Sequence, residues 1–391
     1  SANPLILGPL FRPLFDRLQL SREKLAYLID STASPICILI PITSWVAYVL
    51  SLLAREYADL PVTETPMETY LRSIPLQFYA LASLILVPVI GLLRVEYGPM
   101  RKAEARAAAA IVPPDVRKTE IPAPPDDSPA PPVAGSAGSG AAALVTVAVV
   151  ILAALLWTGG FPRAGLLQAL AAGKSVPAVT LGFIAGAFVL AGLLLRQRTM
   201  TPAAVLSNWS RGAAGMREVL VILILAWSLG ACCDALGTGS YVAGVVERVV
   251  SPLLVPALVF LVGAIISFAT GSAWGCFAIM MPVAMPLAIQ TGVPVHLVLA
   301  AVLSGGIFGD HASPISDTTI LSSIGAGCHH VEHVRTQLPY AATAGVAATV
   351  GFLLAGMWPG AWTVVPMLVT LFALALTCNW LAAKRQAEVA S

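Results

Sequence analysis

The stretch GDHASPISDTTILSS (residues 309–323) gathers polar chemistry inside otherwise apolar sequence. Asp310 and Asp317 stand seven residues apart, with His311, Ser313, Ser316, Thr318 and Thr319 around them. An acid at the centre of a membrane helix costs roughly 2.5–3.5 kcal/mol on insertion scales, so packing does not account for two of them. Intramembrane acids act as ion ligands or proton carriers. Burial favours the protonated carboxyl and a bound cation favours the ionised one, so one site can exchange H⁺ for a cation. A polar hairpin closed by its own hydrogen bonds is the structural alternative.

The tetrapeptide ASPI in that stretch (312–315) also occurs at 33–36, 279 positions earlier. Extending the match pairs Ser31 with Asp310, Thr32 with His311, Cys37 with Ser316 and Ser44 with Ser323. Pro35, Pro41 and Pro314 each remove an amide donor and clash with the preceding turn, which breaks a helix. Irregular backbone in lipid is tolerated only when buried in protein or lining a wet cavity. The freed carbonyls are hard oxygen ligands suited to a small cation such as Na⁺, with a packing kink as the alternative for Pro35. Further along, TGSAWG (270–275) puts Gly271, Ser272 and Gly275 where a span should unwind, so backbone oxygens and the Ser272 hydroxyl join the candidates.

The elements that must position these groups are membrane helices. Hydrophobic residues make up 58% of the 391, charged residues only 11%, and mean hydropathy is +0.85. Apolar runs near twenty residues, the length that crosses hydrocarbon as a helix, recur at 76–93, 141–156, 176–195, 219–235, 254–266, 341–357 and 362–381. An all-α polytopic membrane protein with about 9–11 spans or re-entrant segments follows. A β-barrel would show short alternating segments instead. Net charge is +2 with no basic stripe among aromatics, so no nucleic-acid partner is expected. The six cysteines show no CxxC spacing, and most sit in apolar runs as small hydrophobes.

Lys and Arg mark cytoplasmic loops. Residues 12–24 carry three Arg and one Lys against two acids and read as inside. Residues 55–72 hold four acids and two Arg and read as outside; 94–118, with six Lys/Arg, and 196–217, with four Arg, read as inside. Residues 329–335 and the 384–385 tail are placed inside too. The first ASPI copy therefore runs outward and the second inward. Inverted repeats with interrupted hydrophobic segments at matching places point to a secondary transporter. Ser34 and Ser313 are then expected to share one midplane site. Nine prolines between Pro99 and Pro132, followed by GSAGSG, make a disordered connector. The chain divides into 1–97, the remainder of a first repeat with a broken helix near 31–54; 98–140, a cytoplasmic linker; and 141–391, a second repeat with a hairpin and broken helix near 266–327.

Two other features weigh less. Asp234 reads as an ordinary helix-end acid, with an external-mouth ligand as the alternative. HHVEH (329–333) has His at i and i+4 but lacks the HExxH order, so a solvated loop is expected there rather than zinc. Ser, His and Asp also make hydrolases, yet no GxSxG elbow exists and FGD (308–310) lacks the glycine of a GxGD motif.

These motifs resemble the NhaC-type sodium/proton antiporter family. GDHASPISDTTILSS is similar to the family's signature, and residues 21–45 to its first discontinuous helix and lead-in. ILAWSLGACCDALGTGSYVA (224–243) resembles the AW-x-LG segment, and residues 266–284 the TG-[ST]-x-WG segment. The resemblance implies inverted repeats, re-entrant hairpins, two broken helices and exchange of Na⁺ for H⁺. No cofactor is implied beyond those transported ions, and no enzyme activity. Na⁺ is expected at Asp310, Asp317, Ser34 and Ser313; Thr32 and Asn3 complete the expected binding set. Since the family also holds Na⁺-coupled carriers of organic acids and amino acids, that is the alternative function, with an intramembrane hydrolase behind it. Expected partners are the lipid bilayer of the inner (cytoplasmic) membrane, Na⁺, H⁺ and a second copy in a homodimer. Family members carry further helices upstream, so a hundred or more residues are expected before Ser1, without which exchange should be impaired.

Overall fold

The computed structural model describes residues 3–58, 60–109, 137–163, 165–166, 169, 173–215, 224, 228 and 251–390. Among them the regular elements are helices. They are α1 (Asn3–Arg17), α2 (Arg22–Ser31), α3 (Ser34–Leu39), α4 (Ser44–Glu56), α5 (Pro66–Ser73), α6 (Phe78–Leu93), α7 (Gly98–Ala109) and α8 (Ala137–Thr158). There follow α9 (Ser175–Arg196), α10 (Pro202–Gly215), α11 (Val255–Thr270), α12 (Ala273–Thr291), α13 (Val295–Ala312), α14 (Asp317–Ala326), α15 (His330–Met357) and α16 (Val364–Ala390). Seven helices among the described residues are long and apolar enough to cross a membrane, or eight if 22–56 is one broken span. Two of the seven, Ala273–Thr291 and Val295–Ala312, escaped the sequence runs. Their prolines and glycines lower mean apolarity, while neighbouring helices protect the backbone. The outer surface suits hydrocarbon: Trp157 is 83% exposed and Phe188 75%, a liability in water.

The chain forms two compact units. One holds residues 40–71 and 120–228. Here Ile151 and Leu155 of α8 pack on Ala178 of α9, with Ile42, Ala47, Val147 and Ala154 against them. Close approach depends on Gly182, where a Cβ would stand 3.0 Å from the Val147 carbonyl oxygen.

The other unit holds residues 1–39, 72–119 and 229–391. Its centre is the pair α11 and α13, packed through small residues as membrane helices pack. A Cβ on Gly305 would lie 2.6 Å from the Phe260 carbonyl oxygen. Ser267 Oγ donates to the Gly306 carbonyl at 2.7 Å, replacing lipid contact with an interhelical bond. Phe352 of α15 joins the layer, 4.7 Å from the Phe78 ring and 5.3 Å from the Phe260 ring.

Both ASPI copies interrupt their helices. In the first, α2 ends at Ser31, Thr32 caps it, and α3 starts at Ser34 with Pro35 in its first turn. Pro41 lies in the next interruption, between α3 and α4. In the second, α13 ends at Ala312, Ser313 caps it, and Ser316 is the N-cap of α14. Pro35 and Pro314 have no N–H to give the carbonyls of Ser31 and Asp310, the residues four positions before them.

The contacts fix the relative sense of the two broken helices. Arg22, at the start of α2, donates to the Gly327 carbonyl just past the end of α14 at 3.2 Å. Ser31, at the end of α2, meets His311 beside the second break. So α2 and α14 run antiparallel, as the charge pattern requires. Arg106 of α7 pairs with Glu23 at 3.5 Å and Glu332 at 3.4 Å. That brings together three of the stretches read as lying on one side of the membrane. Lys24 is clamped there too, 2.7 Å from Glu96 and 3.0 Å from Glu104. Glu104 in turn accepts from the backbone and hydroxyl of the α2 N-cap, Ser21.

Candidate ion-binding site

Asp310 sits in the last turn of α13 and is only 2% exposed. Four residues on, Pro314 stops the helix, and the chain re-enters a helix at Asp317. This detour folds polar residues back onto the carboxylate. Ser316 Oγ donates to Oδ1 at 3.0 Å, and Thr318 Oγ1 to Oδ2 at 3.4 Å. From the other broken helix, Ser34 Oγ donates to Oδ2 at 2.7 Å. The N-terminal end of α14, the positive end of its dipole, lies at this carboxylate. The result is one carboxylate, three hydroxyls and interrupted backbone in a dry interior, a donor set suited to a hard cation.

Beside it stands His311, buried with both ring nitrogens engaged. Nε2 is 3.0 Å from Ser31 Oγ and Nδ1 is 2.7 Å from the Tyr79 hydroxyl. Tyr79 is held edge-on against Phe308 at 5.2 Å. The ring thus braces α2 against α6 at the level of the break. Gln337 of α15 donates to the His311 carbonyl, which pins the same turn.

The remaining sequence candidates take separate places. Ser313 is buried, but its hydroxyl goes to the Phe268 carbonyl at 2.8 Å, tying the break to the end of α11. Asp317 is exposed on the first turn of α14. Thr319 is buried and its hydroxyl has no hydrogen-bond partner. Thr32 returns its hydroxyl to the carbonyls of Leu28 at 2.8 Å and Ile29 at 3.1 Å. Ser272 caps α12 by accepting from the Gly275 amide at 3.3 Å. Gly271 adopts φ +65° at the C-cap of α11, and a Cβ there would lie 2.9 Å from the Ile315 carbonyl oxygen. Only glycine lets the α11–α12 turn approach the second break so closely. Asn3 opens α1, and its side chain lies outside the described residues, as do Asp234, residues 224–243 apart from 224 and 228, and residues 110–136 of the 98–140 segment; residues 98–109, expected in the disordered connector, instead form α7, which buries Met100, Ala103 and Glu104.

The 329–333 cluster departs from the solvated loop expected of it. His330 opens α15, with Nε2 2.6 Å from the Pro314 carbonyl and Nδ1 3.0 Å from Ser323 Oγ. His333 is fully buried and meets Gln337 at 2.7 Å. Charge counting misjudged the segment because α15 begins inside it, turning His333 and Gln337 inward at i and i+4. Gln337 donates to Asp30 Oδ2 at 2.8 Å as well as to His311. Its Oε1 therefore accepts, which makes His333 Nε2 the donor.

Asp30, missed in the sequence, is as buried as Asp310. A signal was there: with one residue skipped, DSTASPI (30–36) aligns with DHASPI (310–315), and Asp30 becomes the counterpart of Asp310. Among groups outside the spans, burial and nearby Arg22 lower the Arg12 pKa. Arg12 nevertheless caps α14, donating to the carbonyls of Ile324 at 2.9 Å and Gly325 at 2.6 Å. Burial pushes the Cys328 thiol up to about 12, so it stays protonated and inert. Among the described residues no cluster of His, Cys, Asp and Glu is arranged to hold a metal.

Known proteins similar to this chain are transporters or uncharacterized. An uncharacterized protein of Haemophilus influenzae is 32% identical over 392 residues, covering 95% of this chain and 72% of that protein. A Bacillus subtilis protein named malate-2H⁺/Na⁺-lactate antiporter is 30% identical over 150 residues, covering 36% of this chain and 31% of its own. The solved YdaH transporter of Alcanivorax borkumensis aligns over 92% of this chain and 88% of its own, at 15% identity and a TM-score of 0.42. The profile described as the Na⁺/H⁺ antiporter family matches residues 36–357, and the chain, a multi-pass membrane protein, belongs to that family of secondary transporters.

Proposed function

We propose that this protein exchanges Na⁺ for H⁺ across the cytoplasmic membrane, with Asp310 as the carboxylate that holds either ion. The observation that carries this is the convergence of Ser34, Ser316 and Thr318 on buried Asp310, from two helices broken at the same tetrapeptide. A proton or a small cation can each neutralise that carboxylate, and neither leaves it bare in a dry interior. The two cannot occupy it together, which couples their movements. The antiparallel broken helices support the reading of 1–97 and 141–391 as inverted repeats rocking about the site, joined by the 98–140 linker. We take the assembly to be a homodimer.

A second reading, Na⁺-coupled carriage of a small organic acid or amino acid, is supported by the name of the Bacillus relative. The site argues for the inorganic ion. Among the described residues the side chains bonded to Asp310 are hydroxyls, with no Arg or Lys of the kind that recognises an organic carboxylate. Hydrolysis fits less well. Ser31 and His311 do pair, but the far ring nitrogen meets Tyr79 rather than a carboxylate, and the pair is sealed from water. Proteoliposomes separate these readings. Na⁺ alone should drive H⁺ movement, without malate, lactate or an amino acid; flux that requires an organic substrate supports the second reading instead.

A further inference from the structure

A second group of oxygens lies next to the Asp310 site and is not used by it. Asp30 of α2 spends Oδ2 on Gln337, while Oδ1 has no hydrogen-bond partner. The hydroxyls of Thr318 and Thr319, on the first turn of the antiparallel α14, face that carboxylate. Thr318 is committed to Ser316 and Asp310, but Thr319 Oγ1 is unpartnered. So is Ser322 Oγ, one turn further along α14. All three unpartnered groups belong to side chains at most 1% exposed.

Buried oxygens left without donors are costly and rare. Here a carboxylate oxygen and a hydroxyl oxygen meet across a helix pair without the geometry of a full hydrogen bond. Thr319 stands close enough to act on the Asp30 carboxylate, yet neither oxygen completes a hydrogen bond of normal geometry. A cation between two oxygens keeps them apart in this way, each as its ligand. Thr318 adds a link, since its hydroxyl lies between the Asp30 and Asp310 carboxylates.

We infer that Asp30 Oδ1 and Thr319 Oγ1 are ligands of a second monovalent-cation site, distinct from the one at Asp310 and adjacent to it. Ser322 extends its polar wall. The two sites are the counterparts of each other in the two ASPI copies: a carboxylate just before each break, met by a hydroxyl of the opposite broken helix. Asp310 takes Ser34; Asp30 takes Thr319. The ligands are hard oxygens with one formal charge, which selects Na⁺ over softer metals. This inference rests on the Na⁺/H⁺ reading and adds a second Na⁺ per chain.

The test is ²²Na⁺ binding to the purified protein in detergent, at saturation, with Asp310→Asn, Asp30→Asn and Thr319→Val compared with wild type. Thr319→Val is the decisive variant because the hydroxyl it removes completes no hydrogen bond of normal geometry and valine has the same shape, so the fold is expected to be kept. Two Na⁺ per wild-type chain are expected. Asp30→Asn should leave one, and Thr319→Val should weaken one of the two isotherms about tenfold while leaving the other unchanged. One Na⁺ per wild-type chain, abolished by Asp310→Asn and untouched by Thr319→Val, overturns the second site alone. No Na⁺ bound by wild type overturns both this inference and the exchange reading.

Discussion

Ser34 Oγ donates a 2.7 Å hydrogen bond to Asp310 Oδ2 across 276 positions of sequence. That bond is the shortest statement of how the chain works. Ser34 adjoins Pro35, Asp310 stands four residues before Pro314, and the two interruptions meet. Removing the Ser34 hydroxyl takes one donor from a buried carboxylate, where such bonds contribute about 1.5–3 kcal/mol. Ser34→Ala is therefore expected to raise the half-saturating Na⁺ concentration roughly tenfold or more. Ser313→Ala, whose hydroxyl serves Phe268, should change it by less than about threefold. Na⁺ titrations of both variants in one vesicle preparation make the comparison.

Asp310 and Asp317 are chemically alike but differently placed, and their amide variants should differ. Asp310→Asn is expected to abolish exchange while membrane insertion stays normal, since it lowers the cost of burial. Asp317 is exposed at the first turn of α14, where a carboxylate contributes about 0.3–1 kcal/mol through the helix dipole. Asp317→Asn should therefore retain measurable exchange. Equal and complete loss in both would place Asp317 in the ion's coordination shell.

The broken-helix pair was legible because proline has one physical meaning in a helix and the tetrapeptide occurs twice. Ser34, Ser316 and Thr318 followed from that, since they flank the prolines. Asp30 was overlooked because the matched register set Ser31 opposite Asp310, and only skipping one residue aligns the two aspartates. His333 and Gln337 were missed for another reason. Counting Lys and Arg places a stretch on one side of the membrane but does not say where the next helix begins, and α15 starts within the charged stretch. Ser313 and Ser272 had the right chemistry, but capping and tertiary bonding claim their hydroxyls, and sequence carries no record of which way a side chain turns.

Arg12 closes the end of α14 that lies away from Asp310. Its guanidinium takes two terminal carbonyls, adding a second donor to Ile324, which already accepts from the Gly327 amide at 3.1 Å, and giving one to Gly325. Arg12→Ala should lower stability by about 1–2 kcal/mol, seen as a fall of a few degrees in the apparent Tm of the detergent-solubilised protein. Arg12→Lys should recover only part of it, because one ammonium does not match two carbonyls as a planar fork does.

Gly305 sets the distance between α11 and α13. Gly305→Val places two methyl groups on a Cβ that already stands 2.6 Å from the Phe260 carbonyl oxygen. Overpacking of this kind costs about 1–3 kcal/mol or more. Reduced yield of folded protein is expected by fluorescence size-exclusion chromatography. Gly292→Ala, in open space at φ +68°, should cost about 1–2 kcal/mol through backbone strain alone.

The central claim, that Asp310 exchanges Na⁺ for H⁺, has a direct measurement. The protein is reconstituted into liposomes loaded with a pH-sensitive dye and held at an acidic interior. Adding Na⁺ outside should raise the internal pH in wild-type vesicles, saturating with Na⁺ concentration, and should do nothing in vesicles carrying Asp310→Asn. A Na⁺-driven pH change of the same size in both preparations would contradict the account.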